Sequence, residues 1–267
     1  MNEQVKRLSY EMRLYGINTN FESRAMSAIS HGQSHLEFLH LLLEDEKNNR
    51  KDKLGKSLTK RARFRYLCDL EDWDMNFDRG ISKAQLKELA TLSFFRTNTN
   101  LLLLGKTGEG KTHLAVSLGK RFCNEGIGVA FLPMCFLFEN IQAQKLSGKL
   151  LGYLEKLSQT KVLILDDFGL RNYTHEEATI LVEILEARSK KGPVVVTSQV
   201  NPKAWTKLFE DPAIAEAIVD RLINPSIKIN LKGGRLYDFT DRSPHPGPIN
   251  PESGPRLPAL VRRSSIY

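Results

Sequence analysis

The stretch Leu101–Ala115, LLLLGKTGEGKTHLA, decides the fold of this chain. Its four leucines form a short apolar run without charge, which is typical of a strand buried on both faces. The next eight residues, Gly105–Thr112, match the pattern G-x-x-x-x-G-K-[ST] of a phosphate-binding loop. Residues from His113 onward have helical spacing, so bound phosphates would lie at a helix N-terminus, where the helix dipole favours anions. The stretch therefore predicts a strand–loop–helix nucleotide site.

The residue types of this loop suit a nucleoside triphosphate. Its glycines let successive backbone N–H groups point at phosphate oxygens. Lys111 would neutralise the β- and γ-phosphates, and the Thr112 hydroxyl would complete the ligand shell of a Mg²⁺ ion. The predicted nucleotide contacts are Gly105, Lys106, Thr107, Gly108, Glu109, Gly110, Lys111, Thr112 and His113.

The bulk composition narrows the class of protein. With 267 residues and 41% hydrophobic content, the chain can bury the core of one full domain and a smaller second one. No apolar run approaches the ~20 residues needed to cross a bilayer. The N-terminus is not of the signal-peptide type, and the three cysteines lack C-x-x-C spacing. We therefore expect a cytoplasmic protein without a membrane partner.

The formal net charge of +8 suits a polyanionic partner such as nucleic acid. Residues 1–75 have helical spacing and no strand pattern, which predicts a small all-helical N-terminal domain. Within it, the segment from Lys47 to Arg65 holds nine basic residues opposed only by Asp52. This density favours contact with DNA backbone phosphates over a solvated helix face. The predicted DNA contacts are Lys53, Lys56, Lys60, Arg61, Arg63 and Arg65.

Strand and helix patterns alternate over residues 76–240. Apolar runs predict further strands at Val129–Leu132, Lys161–Asp167, Pro193–Ser198 and Ile227–Leu231. Amphipathic spacing predicts helices at Ser82–Ala90, Phe136–Leu157, Glu176–Lys190, Ala204–Phe209 and Ala213–Leu222. Repeated βα units of this kind predict an α/β domain with a central parallel sheet covered by helices on both faces.

Two segments flank this domain. The acidic and aromatic residues 69–80 are interpreted as a hinge between the helical domain and the nucleotide domain. Six of the eleven prolines fall between Pro244 and Pro258, among few large apolar residues. Such a composition cannot bury enough surface to order itself, so residues 241–267 are predicted to be a disordered tail.

Acidic and polar residues end the strands that follow the phosphate-binding loop. Asp166 is the candidate Mg²⁺ ligand, and Asp167 could orient or deprotonate the water that attacks the γ-phosphate. Gln199, at the tip of the next predicted strand, could contact the γ-phosphate or that water. Arg221 lies too far along the fold to reach its own nucleotide easily, but it could act on a neighbouring subunit. The alternative for Arg221 is a surface ion pair with Asp220.

Several blocks in order resemble one family. They are MRLYGI at Met12–Ile17, an LLLxxE pattern from Leu41, the phosphate-binding loop, VLILDDFG from Val162, TSQ followed by Trp205, and FEDPAIAEAIVDRL from Phe209. Over about residues 1–240 the chain resembles the IstB-like transposition helper ATPases, relatives of the DnaC-type helicase loaders in the AAA+ class. In the family pattern the strand-tip residue is usually Asn rather than Gln199. The terminal motif at Gly234–Asp238 lacks the family's final arginine.

The resemblance implies an AAA+ fold and an ATP- and Mg²⁺-dependent ATPase. Its implied partners are double-stranded DNA, further copies of the chain in an ATP-dependent homo-oligomer, and a DDE-type transposase. Lys111, Thr112, Asp166 and Arg221 match the family's functional positions. Two alternatives stay open: a replicative helicase loader of the DnaC type, and a structural DNA-binding protein with an inactive ATPase site. The basic segment favours the transposition helper, because a helicase-binding surface need not be so uniformly positive.

Overall fold

A five-stranded parallel sheet forms the centre of the computed structural model, which describes residues 2–73 and 79–233. The strand order is β2-β3-β4-β1-β5, and every pairing within the sheet is parallel. The strands are β1 (Asn100–Leu104), β2 (Val129–Pro133), β3 (Val162–Phe168), β4 (Val194–Ser198) and β5 (Ser226–Asn230). This arrangement confirms the predicted α/β fold with a parallel sheet.

Side chains of β1 alternate between two cores, one on each face of the sheet. Leu101 and Leu103 belong to the first core, and Leu102 and Leu104 belong to the second. Because helices cover both faces, all four leucines are buried, as the uninterrupted apolar run predicts. The covering helices are α4 (Lys83–Ala90), α5 (Ser93–Arg96), α6 (Lys111–Asn124), α7 (Met134–Leu146), α8 (Leu150–Gln159), α9 (His175–Arg188) and α10 (Pro212–Ile223).

Two helix predictions differ from the structure in detail. The helix predicted over Phe136–Leu157 is two helices, α7 and α8, which are separated at Gly148, a residue with a left-handed φ of 67°. The helix predicted over Ala204–Phe209 is a 3-10 helix, Pro202–Leu208. The Asn201 side chain caps its first turn by accepting a hydrogen bond from the Lys203 N–H. Short 3-10 segments have the same apolar spacing as one α-helical turn, so the pattern did not separate them.

The N-terminal part is helical, as predicted, and consists of α1 (Asn2–Glu11), α2 (Tyr15–His31) and α3 (His35–Ala62). A buried carboxylate joins α2 to α3. Glu46 accepts hydrogen bonds from the Gly16 N–H at 2.7 Å and from the Arg50 guanidinium at 2.7 Å. A Cβ at Gly16 would lie 2.7 Å from the Cα of Glu46, so the two helices approach closely only because this residue is glycine.

The C-terminal half of α3 packs on α6, one of the helices that cover the sheet. A Cβ at Gly55 would lie 3.2 Å from the Cα of Asn124, which places the two backbones in contact distance. Phe64 is buried beneath Gly119 of α6 and lies 5.8 Å from the ring of Phe131. Trp73 is buried in the same core as β1. Core contacts therefore continue through residues 62–73, within the segment predicted as helical domain and hinge.

Some predictions lie outside the described residues. These are part of the predicted hinge (residues 74–78), the terminal motif at 234–238 and the predicted tail at 241–267. Within residues 2–73 and 79–233, no helix has both the length and the apolar content to cross a membrane.

Replacing Phe64 with alanine tests whether α3 is held on the sheet and its helices by this side chain. We expect Phe64→Ala to lower the free energy of unfolding by about 3–5 kcal/mol, since a buried aromatic side chain is lost. Leu67→Ala is the control, because Leu67 is exposed and only three residues away. It should change the free energy of unfolding by no more than about 0.5 kcal/mol. Urea unfolding measures both, and equal losses would contradict this packing role.

Candidate active site

The carboxyl ends of β1, β3 and β4 bring three polar segments to one edge of the sheet. The phosphate-binding loop follows β1, the acids Asp166 and Asp167 lie just before the last residue of β3, and Thr197 to Gln199 span the end of β4. Because β4 lies between β1 and β3, residues more than 90 positions apart in the sequence come within hydrogen-bonding distance. Open parallel sheets bind ligands at this edge.

The phosphate-binding loop has the backbone that its glycines allow. Gly105, Gly108 and Gly110 have φ values of 151°, 87° and 91°, in the region that favours glycine. A Cβ at Gly105 would lie 2.9 Å from the carbonyl oxygen of Leu231, so a larger residue would not fit there. Helix α6 begins at Lys111 directly after the loop, which places its free N–H groups toward the loop.

Lys111 lies inside the loop rather than in solvent. Its Nζ donates a hydrogen bond to the carbonyl oxygen of Lys106 at 2.7 Å, and the residue is buried. Burial lowers the pKa of Lys111, while the nearby charges of Asp167, Glu109 and Asp166 raise it. These carboxylates favour the charged ammonium that a phosphate contact requires.

Asp166 is the buried acid of the site. Its Oδ1 accepts hydrogen bonds from the hydroxyls of Thr112 at 2.9 Å and Thr197 at 2.6 Å. Its residue surface is 0% exposed, and its Oδ2 accepts no hydrogen bond from residues 2–73 and 79–233. Burial raises the pKa of Asp166, and the neighbouring charge of Asp167 raises it further, whereas the two threonine hydroxyls lower it.

This donor set fits Mg²⁺. The ion prefers carboxylate and hydroxyl oxygens, and both are provided here by Asp166 and Thr112. The buried Oδ2 of Asp166, without a hydrogen bond from the described residues, is an oxygen that a divalent cation could ligate. A cation there would also offset the cost of burying the carboxylate.

Asp167 has a left-handed backbone, with φ of 62°, at an irregularity in the pairing of β3 with β4 between Leu165 and Phe168. Its N–H donates to the hydroxyl of Thr197 at 2.9 Å. Thr197 therefore accepts from the backbone of Asp167 and donates to the carboxylate of Asp166. Bulges of this kind re-aim a side chain, and here two consecutive acids can serve different positions.

Thr197 lies at the tip of a predicted strand, but the sequence alone assigns it no role. Its two hydrogen bonds depend on the register of β4 against β3, which no local pattern encodes. The signal that could have identified it is a threonine within a buried apolar strand, where an unpaired hydroxyl is costly. Gln199 lies where the prediction put it, at the strand tip, and its Oε1 accepts from the Thr107 hydroxyl at 2.7 Å.

The ring of His113 packs in the core. Its centroid lies 5.8 Å from that of Trp73 and 6.4 Å from that of Tyr66. Burial lowers the pKa of His113, so the neutral form is favoured. A nucleotide contact from this residue would therefore use its backbone N–H rather than its ring.

Arg221 lies at the opposite edge of the sheet from the phosphate-binding loop. Its carbonyl oxygen accepts a hydrogen bond from the side chain of Asn100, the first residue of β1. Its guanidinium forms an ion pair with Glu186 of α9 at 2.5 Å. The alternative, a surface ion pair with Asp220, is not formed: Arg221 pairs with Glu186, and Asp220 accepts a hydrogen bond from Asn224.

Most of the predicted DNA contacts lie exposed along α3. Successive spacings of three and four residues place Lys53, Lys56 and Lys60 on one face of the helix. The ammonium of Lys53 lies 3.8 Å from the centroid of the Tyr15 ring, a cation–π contact. Exposed on this face, the three lysines form a row of positive charge.

Arg65 occupies a different place from the one expected. Helix α3 ends at Ala62, and Arg63 has a left-handed φ of 58°. The chain therefore leaves the helix, and the row of exposed lysines on it, before Arg65. The Arg65 guanidinium lies 3.4 Å from Oδ2 of Asp167 and 3.9 Å from Oδ2 of Asp166. The residue that was predicted to face DNA thus lies beside the two acids.

Residues 7–240 match the family model of the IstB-like ATP binding proteins. The chain belongs to this family. A relative from Pseudomonas aeruginosa, named for insertion sequence IS21 and for ATP binding, is 34% identical over 86% of this chain and 85% of its own. Another, from Geobacillus stearothermophilus and named for IS5376 and ATP binding, is 29% identical over 87% of this chain and 93% of its own.

Solved structures support the AAA+ fold of this IstB-like protein. The crystal structure of DnaI has a TM-score of 0.53 at 17% identity and covers 66% of this chain and 94% of that one. AMPPCP-bound DnaA from Aquifex aeolicus has a TM-score of 0.50 at 17% identity, covering 60% of this chain and 49% of that one. At 17% identity, the similarity to these structures shows a shared fold and nothing beyond it.

Thr197→Val tests whether the two hydrogen bonds of this hydroxyl hold the acid pair of the IstB-like protein in place. We expect Mg²⁺-dependent ATP binding to weaken about 10- to 100-fold, as for other groups that orient metal ligands. Thr197→Ser should retain most of the binding. Thr179→Val is the control, since that half-exposed hydroxyl donates to the carbonyl oxygen of His175 within α9. Titration with a fluorescent ATP analogue measures binding. An unchanged ATP affinity of the Thr197→Val variant would contradict this role of Thr197.

Proposed function

We propose that this IstB-like protein is an ATPase that binds double-stranded DNA, assembles there into an ATP-dependent homo-oligomer, and recruits or activates a DDE-type transposase. The observation that carries the proposal is the bonding of Thr112 and Thr197 to the buried carboxylate of Asp166, beside a lysine-containing phosphate loop. The names of the relatives, which refer to insertion sequences and ATP binding, support the link to transposition.

Hydrolysis would use the residues at the carboxyl edge of the sheet. Lys111 would offset the charge of the β- and γ-phosphates, and Thr112 with Asp166 would hold Mg²⁺. The ion would polarise the phosphate oxygens when bound. Asp167, half-buried and re-aimed by the bulge, would accept a proton from the attacking water. Gln199, bonded to the loop through Thr107, would orient that water or contact the γ-phosphate.

Contact with DNA would use the exposed basic residues of α3 and its C-terminal end. Lys56, Lys60, Arg61 and Arg63 are all exposed. Exposed cations spaced along one helix suit contact with backbone phosphates rather than sequence readout. Because the chain that leaves α3 places Arg65 beside Asp166 and Asp167, DNA bound at the C-terminal end of α3 would be close to the nucleotide site.

A homo-oligomer would give Arg221 a role in trans. The backbone carbonyl of Arg221, on α10, is bonded to Asn100 at the amino end of β1, whereas the phosphate loop follows the carboxyl end of the same strand. The five residues of β1, about 16 Å of strand, lie between these two points. A neighbouring subunit could bring this arginine to the γ-phosphate of the first subunit, provided that the pair with Glu186 opens.

The mass of the protein on and off duplex DNA, with ATP and with ADP, tests this proposal. We expect a large complex only with DNA and ATP together. Replacing Lys56, Lys60 and Arg61 with alanine should prevent it, because phosphate contacts supply most non-specific affinity. As a control, replacing three exposed lysines away from α3 with alanine should leave the complex intact; these are Lys149, Lys156 and Lys203. A wild-type protein that stays small on duplex DNA would favour a helicase loader instead.

Arg221→Ala tests the proposed trans contact. Alone, this variant should lose ATP hydrolysis by about 10³-fold or more, the size typical of an arginine finger. Mixed with Lys111→Ala, which cannot use its own nucleotide but retains Arg221, it should regain part of the activity. Phosphate release measures the rates, with each variant alone as the reference. Activity of Arg221→Ala as a lone monomer, or no recovery on mixing, would contradict a trans role.

A further inference from the structure

We propose that Arg65 binds either the acid pair Asp166 and Asp167 or DNA on α3, and so couples DNA binding to the Mg²⁺ concentration that nucleotide binding requires. This inference rests on the proposed function. In this structure its guanidinium bonds the acid pair, at 3.4 Å from Asp167 and 3.9 Å from Asp166. It belongs to the chain segment that leaves the basic helix. One side chain is thus within reach of both anionic partners of the protein.

The position of Arg65 is fixed by its neighbours in sequence. Phe64 is buried against α6 and β2, and Tyr66 is half-buried with its ring 6.4 Å from that of His113. The backbone of Arg65 is therefore anchored on both sides, while 42% of its side chain is exposed. An anchored backbone with a long and partly exposed side chain lets the guanidinium move between nearby anions without unfolding of the segment.

The first anionic partner is the acid pair. Oδ2 of Asp166 is buried and accepts no hydrogen bond from residues 2–73 and 79–233, and the guanidinium of Arg65 lies nearest to it as an ion pair. That same oxygen is the one a divalent cation could ligate. Two cations cannot share one oxygen without strong repulsion, so Mg²⁺ and Arg65 compete for this acid pair.

The second partner is a DNA backbone phosphate. Lys60 and Arg61 lie in the last turn of α3, and Arg63 follows directly, so phosphates bound there would be close to Arg65. Guanidinium groups bind phosphates with two parallel hydrogen bonds, which makes a phosphate a strong competitor for Arg65.

These two competitions couple the sites. DNA draws Arg65 from the acids and so lowers the Mg²⁺ concentration that nucleotide binding requires. By linkage, Mg²⁺ with ATP releases Arg65 toward DNA and raises DNA affinity by the same factor. Arg65 is a positioning residue in this scheme, since it neither accepts the proton nor holds the metal.

The test is a Mg²⁺ titration of the binding of a fluorescent ATP analogue, with and without a short duplex DNA. For the wild-type protein we expect DNA to lower the half-saturating Mg²⁺ concentration by about fivefold or more. For Arg65→Ala we expect a low value already without DNA, and no further shift when DNA is added. Arg65→Lys keeps a cation but loses the planar fork, so an intermediate shift is expected.

Arg61→Ala is the matched control, because it removes one exposed cation of the same segment that has no place beside the acids. It should weaken DNA binding and yet retain the DNA-dependent shift once DNA is saturating. The reciprocal readout is DNA affinity by fluorescence anisotropy with and without Mg²⁺ and the nucleotide. Circular dichroism of all variants separates these effects from loss of fold.

If the protein binds duplex DNA, either of two results would overturn the inference: an Arg65→Ala protein that keeps the DNA-dependent shift, or a wild-type protein whose half-saturating Mg²⁺ concentration is the same with and without DNA. Failure of the proposed function is a different result, namely a wild-type protein that does not bind duplex DNA. In that case the comparison of Arg65→Ala with wild type without DNA still tests the competition. Equal Mg²⁺ requirements there would overturn it.

Discussion

The parallel register of β1, β3 and β4 is the constraint on which the site depends. In a parallel sheet all carboxyl ends meet at one edge, so the phosphate loop, the acid pair and the Thr197–Gln199 tip must converge there. A central β4 then supplies the hydroxyl that bonds the buried carboxylate of Asp166. The same burial that stabilises the strands makes this carboxylate costly unless it is bonded, and two threonines satisfy one of its oxygens.

Local sequence patterns were sufficient for the parts whose cause is local. The apolar run and glycine spacing of Leu101–Thr112 predicted a strand, a phosphate loop and a helix start, because each follows from neighbouring residues. The buried strand ending in Asp166 and Asp167 was predicted for the same reason. The parallel sheet followed from the alternation of strands and helices, although its strand order did not.

The features that sequence patterns missed arise from contacts between distant segments. The sequence predicts Arg65 as a DNA contact, but the left-handed backbone of Arg63 ends the helix and turns the chain toward the acids Asp166 and Asp167. Similarly, the hydrogen bonds of Thr197 follow from strand register, and the pairing of Arg221 with Glu186 follows from the packing of α10 on α9. The helical repeat of a sequence predicts which residues share one face of one helix, but not which other element that face contacts.

Helix α3 is one continuous helix of 28 residues, about 42 Å long, that is held at both ends by different partners. Its first half is joined to α2 through the buried Glu46, and its second half lies on α6, which begins at the phosphate loop. Such a rod acts mechanically as a lever arm. A tilt of roughly 5° at the end on α6 displaces the far end by about 4 Å. A small shift of α6, the helix that follows the phosphate loop, would thus be amplified at α1 and α2.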